Sequence, residues 1–95
     1  MKKNNDNTMN AKITHGKRDA AGWIKGKAKT ARGEYEFLAK VYDEGSCYGI
    51  RHGRVSKLWI SKNGKFAANY DRGWDTRPTD KGAKEALAGI LEEFK

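Results

Sequence analysis

The chain has 95 residues, and 20 Lys plus Arg against 12 Asp plus Glu leave it at +8 with a sequence pI near 9.7. A chain of that length folds as one thin-cored domain burying about 64% of its unfolded surface, which excludes a multidomain enzyme. Its single Cys precludes an internal disulfide, one Cys with two His cannot complete a tetrahedral zinc shell, and no apolar run approaches the ~20 residues that cross a bilayer. The expectation that remains is a small cytoplasmic domain without metal or cofactor, away from membranes and attracted to polyanions.

From Met1 to Ala20 the only large aliphatic residue is Ile13, and the net charge is +3. So little apolar surface cannot offset the entropy of ordering the backbone, so residues 1–20 are expected to form a flexible basic tail. Lys2 and Lys3 lead into Asn, Asp and Thr instead of an apolar stretch, so no secretory signal is expected there. From Gly22 the periodicity becomes two. Trp23 to Ala31 alternates large or charged residues with small and apolar ones, as a half-buried strand does. Arg32-Gly33 forms a turn, and Glu34 to Tyr42 follows as a second strand with Tyr35, Phe37, Ala39 and Val41 on one side. Asp43 to Gly53 holds three Gly and a Ser and reads as a long connection. Arg54 to Ser61 is the third strand, Asn63-Gly64 is a two-residue hairpin signal, and Phe66 to Tyr70 is the fourth.

Arg72 to Thr79 is irregular, and Pro78 turns Arg77 away from helical angles. Thr79 or Asp80 can cap the helix that follows. There Ala83, Ala86, Leu87, Ile90, Leu91 and Phe94 recur at three- and four-residue steps as one apolar stripe. Gly82 and Gly89 each weaken that helix by about 1 kcal/mol relative to Ala, so tertiary packing must hold it. The simplest assembly is a single α+β domain over residues 21–95, a four-stranded antiparallel meander with the C-terminal helix across one face.

With the helix covering Ile24, Ala28, Phe37, Ala39, Val41, Leu58 and Ile60, alternation sends Trp23, Lys25, Lys27, Lys29, Lys40, Tyr42, Val55, Lys57 and Trp59 to the other side. Glu34 and Glu36 share that side and face the lysines across the first hairpin. Residues 21–78 carry 12 Lys plus Arg against 6 acids, whereas 79–95 carry 3 against 4, so the positive charge belongs to the sheet. Cations for phosphates and flat rings for bases are what a single-stranded nucleic acid requires. The same residues also fit a protein interface anchored by Trp, or edge lysines that only solvate the sheet.

Asp71-Arg72-Gly73-Trp74-Asp75 with Arg77 is the densest group of special residues. Arg72 and Arg77 read either as forks for phosphate or carboxylate or as local ion-pair partners. Trp74 is expected to plug the sheet-to-helix corner. Cys47 and His52 in the long connection raise a nucleophilic pair, but nothing nearby is placed to lower the thiol pKa. The expectation is a small thiol and a surface imidazole, with catalysis a minor alternative. The glycines at 45, 49 and 53 lack the Gly-Lys-Ser/Thr of a phosphate loop, and His15 is expected to be solvated.

Gly22-Trp23-Ile24, Ala39-Lys40-Val41-Tyr42, Tyr48-Gly49-Ile50, Gly53-Arg54-Val55-Ser56-Lys57-Leu58 and Tyr70-Asp71-Arg72-Gly73-Trp74-Asp75 with Pro78 together resemble an uncharacterised family of short proteins. That family is carried by phages, plasmids and conjugative elements, and the resemblance spans about residues 22–94. It implies a genetic setting and no mechanism. Small proteins of this setting include accessory nucleic-acid binders and inhibitors of host defence, CRISPR effectors among their targets. The expectation is therefore a non-catalytic binding protein of a mobile element. It would contact nucleic acid or a nucleoprotein through Trp23, Lys25, Lys27, Lys29, Lys40, Lys57, Trp59, Arg72 and Arg77. The alternative is an anti-CRISPR-type inhibitor that grips a Cas effector protein.

Overall fold

A computed structural model describes residues 11–95, and the first half of the expected tail lies outside the described residues. The strands are β1 (Lys12–His15), β2 (Trp23–Thr30), β3 (Gly33–Val41), β4 (Val55–Lys62), β5 (Lys65–Asp71) and β6 (Trp74–Thr76), followed by helix α1 (Lys81–Glu93). They form one six-stranded antiparallel sheet in the order β1-β2-β3-β4-β5-β6. The turns follow the residues that tolerate positive φ: Gly33 at 129° between β2 and β3, and Asn63 at 54° with Gly64 at 81° between β4 and β5. The Asp80 carboxylate caps α1 by accepting from the Ala83 N–H at 2.7 Å.

α1 lies against one face of the sheet. Ile24, Ala28, Phe37, Ala39, Leu58 and Ile60 are buried there against Ala83, Ala86, Ile90 and Phe94. The α+β class, the meander and the C-terminal helix are as the periodicities imply, but the sheet has six strands and not four. The two additional strands are short edges, which need only one inward apolar residue each and so leave almost no periodic signal. β6 is held by Trp74, whose ring meets Tyr70 edge-on with centroids 5.0 Å apart.

β1 corrects the expectation of a flexible tail through residue 20. Ile13 and Ala11 pack against Gly89, where a Cβ would stand 3.0 Å from Ala11 Cβ and 3.1 Å from Ile13 Cδ1. The glycine that looks like a helix defect in the sequence is the surface that receives this strand. His15 then ties β1 to the end of α1, its Nε2 lying 3.2 Å from Glu93 Oε2 and its ring 5.0 Å from that of Phe94. Asp19 closes the turn into β2 by accepting from the N–H groups of Ala21 and Trp23, both at 2.9 Å.

Val55 is a second correction. It was expected on the solvent side with Lys57, yet it is 1% exposed. Lys40 pairs with Lys57 and Val41 with Val55, so Ser56 is an extra residue in β4. This bulge switches the side on which the strand's first residue points.

Candidate nucleic-acid interface

α1 covers one face of the sheet and leaves the other open, and the pairing register arranges the open face in rows. Trp23, Lys40, Lys57 and Asp71 form one row across β2 to β5; Lys25, Leu38, Trp59 and Asn69 form the next. Thr14, Lys27, Glu36, Ser61 and Phe66 form a third, and Lys12, Lys29 and Glu34 a fourth. Side chains two residues apart on one strand share a face at about 6.8 Å spacing, so Lys25, Lys27 and Lys29 make a ladder along β2. All three are exposed.

Trp23 and Trp59 lean toward each other over β3 and stack, with centroids 5.4 Å apart and planes inclined by 11°. Both are half-buried. The Lys40 ammonium stands 5.6 Å from the Trp23 ring centroid and 5.8 Å from that of Tyr42, where the negative faces of the rings attract it. Among the described residues Lys25, Lys27, Lys29 and Lys40 make no salt bridge, while Lys57 lies 3.8 Å from Asp71. Seven of the nine residues singled out by sequence thus share this face: Trp23, Lys25, Lys27, Lys29, Lys40, Lys57 and Trp59.

The two arginines lie elsewhere. Arg72 occupies the β5–β6 turn at φ 58°, its guanidinium 5.9 Å from the ring of Tyr48 in the long connection, so it stands at the end of the Trp23 row. Arg77 lies 5.5 Å over Trp74 and lines a recess with Ile50, Pro78, Lys84 and Leu87 on the helix side. It does not extend the open face. Trp74 plugs the corner between sheet and helix, as expected.

Leu38 and Phe66 join the face and were not singled out. Leu38 was legible, since it continues the alternation Glu34, Glu36, Leu38, Lys40. Phe66 was not, because alternation back from Tyr70 and Ala68 would bury it. Ile60 pairs with Ala68 but Ser61 with Phe66, and this bulge at Ala67 turns Phe66 outward to 71% exposure.

In the long connection Cys47 and His52 are exposed, and among the described residues no hydrogen bond joins them. The glycines there serve backbone approach: a Cβ on Gly49 would collide with the Gly53 carbonyl, and one on Gly45 with the His52 carbonyl. Arg18 Nη2 donates to Asp43 Oδ1 at 2.6 Å and holds that carboxyl below the ordinary value for Asp. Behind the sheet, burial pushes the Tyr35 phenol above its ordinary value, and the neighbouring Asp80 carboxylate adds to the effect. No cluster of three or more His, Cys, Asp or Glu suited to a metal occurs among the described residues. No helix in that region is long and apolar enough to cross a membrane.

Architecture and face together define a two-layer α+β domain, one side of its sheet closed by a helix and the other open, basic and aromatic. Residues 22–95 match the family described as a domain of unknown function, DUF7678, and the chain belongs to that family. The match begins where the sequence turns periodic and leaves β1 outside it. No curated protein and no solved structure matches the chain.

Proposed function

We propose that this is a non-catalytic binding module that takes single-stranded nucleic acid, free or within a nucleoprotein, on its open sheet face. The observation that supports the reading best is the coincidence on one uncovered face of a stacked Trp pair and four lysines without salt-bridge partners among the described residues. Lys25, Lys27, Lys29 and Lys40 neutralise phosphates, Lys57 and Arg72 add charge at one end, and Trp59 and Trp23 offer apolar ring surface to bases. Each stacked base contributes about 1–3 kcal/mol. The experiment is binding to a labelled 20-mer at several salt concentrations. Each phosphate contact contributes a slope of about −0.7 in log K against log salt, so replacing Lys25, Lys27 and Lys29 by Ala should flatten the slope by about 2. Binding that is absent or insensitive to salt rejects the proposal.

A second reading has its own support in Phe66 at 71% exposure beside Leu38 and the Trp pair, a strip that also suits a protein partner. With the mobile-element setting that the sequence resemblance implies, that partner would be a host defence effector of the CRISPR class. This reading expects co-elution with such an effector, loss of the complex on Trp59→Ala, and no affinity for free nucleic acid.

A further inference from the structure

We infer that the recess beside Trp59 is a slot for one amino-bearing pyrimidine base, cytosine, held by Trp59 and Phe66 and read by Glu36; this rests on the nucleic-acid reading above. The recess has a volume of about 300 Å³, at the small end for small-molecule sites. Lys25, Glu36, Leu38, Trp59, Ser61 and Phe66 line it. Trp23 does not, although it is stacked on Trp59, so the recess takes a part of the indole that Trp23 leaves uncovered. Trp23 itself has less to offer a base, since Trp59 takes one of its faces and the Lys40 ammonium stands over the ring. The larger free aromatic surface of the pair is therefore that of Trp59 inside the recess.

The recess has an apolar floor in Leu38, one aromatic wall in Trp59 and another in the exposed Phe66. A flat ring entering it exchanges water for aromatic contact on both sides. The polar groups then set which ring. Glu36 is exposed and makes no salt bridge among the described residues, although Lys27 is its cross-strand neighbour. An ionised carboxylate only accepts hydrogen bonds and repels phosphate. On a face that attracts a nucleic-acid backbone, its favourable partner is an N–H donor on a base edge. Cytosine presents an exocyclic amine to Glu36, the pairing carboxylates make with this base. Its ring nitrogen and carbonyl, both acceptors, suit the Lys25 ammonium. Thymine presents a single ring N–H between two carbonyls that repel the carboxylate.

The test measures binding of the full chain to labelled oligo(dC) and oligo(dT) 20-mers at one salt concentration. The wild type should prefer oligo(dC) by at least about fivefold, the low end for one base-edge contact. Glu36→Gln removes the charge but not the shape, and an amide can donate to thymine, so this variant should lose the preference while still binding. Phe66→Ala, at an exposed site that leaves the core intact, should weaken oligo(dC) binding by about fivefold or more, as loss of one stacking partner does. Equal binding of both oligomers by the wild type, or a preference that survives Glu36→Gln, overturns the slot and leaves the polyanion reading standing. No binding to either oligomer overturns both.

Discussion

Gly82 is the second residue of α1, and helix propensity alone predicts that Gly82→Ala stabilises the protein by up to about 1 kcal/mol. The tertiary structure reverses the sign. A Cβ on Gly82 would fall on the Tyr35 hydroxyl and within 3.0 Å of Tyr35 Cε1 and Cζ. The tyrosine is 1% exposed and packed in the core, so its ring must shift for the methyl to fit. Overpacking of this kind costs about 1–3 kcal/mol, so the net expectation for Gly82→Ala is a loss of up to about 2 kcal/mol. The atom in closest conflict is the hydroxyl oxygen, which can be removed on its own. Tyr35→Phe also loses a long hydrogen bond to the Asp80 carboxylate, at 3.4 Å, and should cost about 0.5–1 kcal/mol. In the double variant the conflict is relieved in part, so it should be more stable than additivity predicts by about 1 kcal/mol. Urea unfolding of the four proteins, followed by circular dichroism, measures the cycle. Additive effects, or a stabilised Gly82→Ala, would refute the claim that this glycine exists for close approach of helix and sheet.

Three more outcomes follow from the charges. Because the Tyr35 phenol is raised above its ordinary value of 10.0, the unfolded chain loses that proton first. Stability should therefore decline as pH rises past that ordinary value, and thermal melts from about pH 9 to 11 should fall less steeply in Tyr35→Phe. The Asp43 carboxyl, lowered chiefly by Arg18, should titrate below 3.8 in an NMR pH series and rise toward the ordinary value in Arg18→Ala. Its contribution is present above the ordinary value and fades as pH falls through the lowered one; a carboxylate this exposed should leave the melting temperature nearly unchanged. Glu85 is 6% exposed and paired with Arg32 at 2.8 Å, so Arg32→Ala should destabilise by about 1–3 kcal/mol, measured by urea unfolding. Adding Glu85→Gln should recover part of the loss, since the stranded group is then neutral.

Leu38 and Phe66 separate what was legible from what was not. Strand faces are read by counting in twos, which holds for as long as the pairing is regular. It placed Trp23, Lys25, Lys27, Lys29, Lys40, Lys57 and Trp59 on one side and would have placed Leu38 with them. It fails at the two bulges, Ser56 and Ala67, because a bulge is set by how one strand fits its neighbour and not by the residues of either alone. Val55 turned inward at the first and Phe66 outward at the second, and the outward turn gives the recess its second wall. Arg77 was misplaced for a different reason: a side chain in an irregular link has no periodicity to assign it a face, and it settled over Trp74 on the helix side.

Legible in the residues alone were the class, the meander, the helix capped at Thr79 or Asp80, and the segregation of charge to the sheet. Each of these is a local property, carried by periodicity, turn chemistry or composition. Tertiary packing alone makes residues 12–15 a strand, turns Gly82 and Gly89 into contact surfaces, stacks Trp23 on Trp59, and brings Trp59 and Phe66 together with Glu36 around one recess. Those facts depend on distances between segments far apart in the chain, which local free energies do not fix until the sheet and helix have packed.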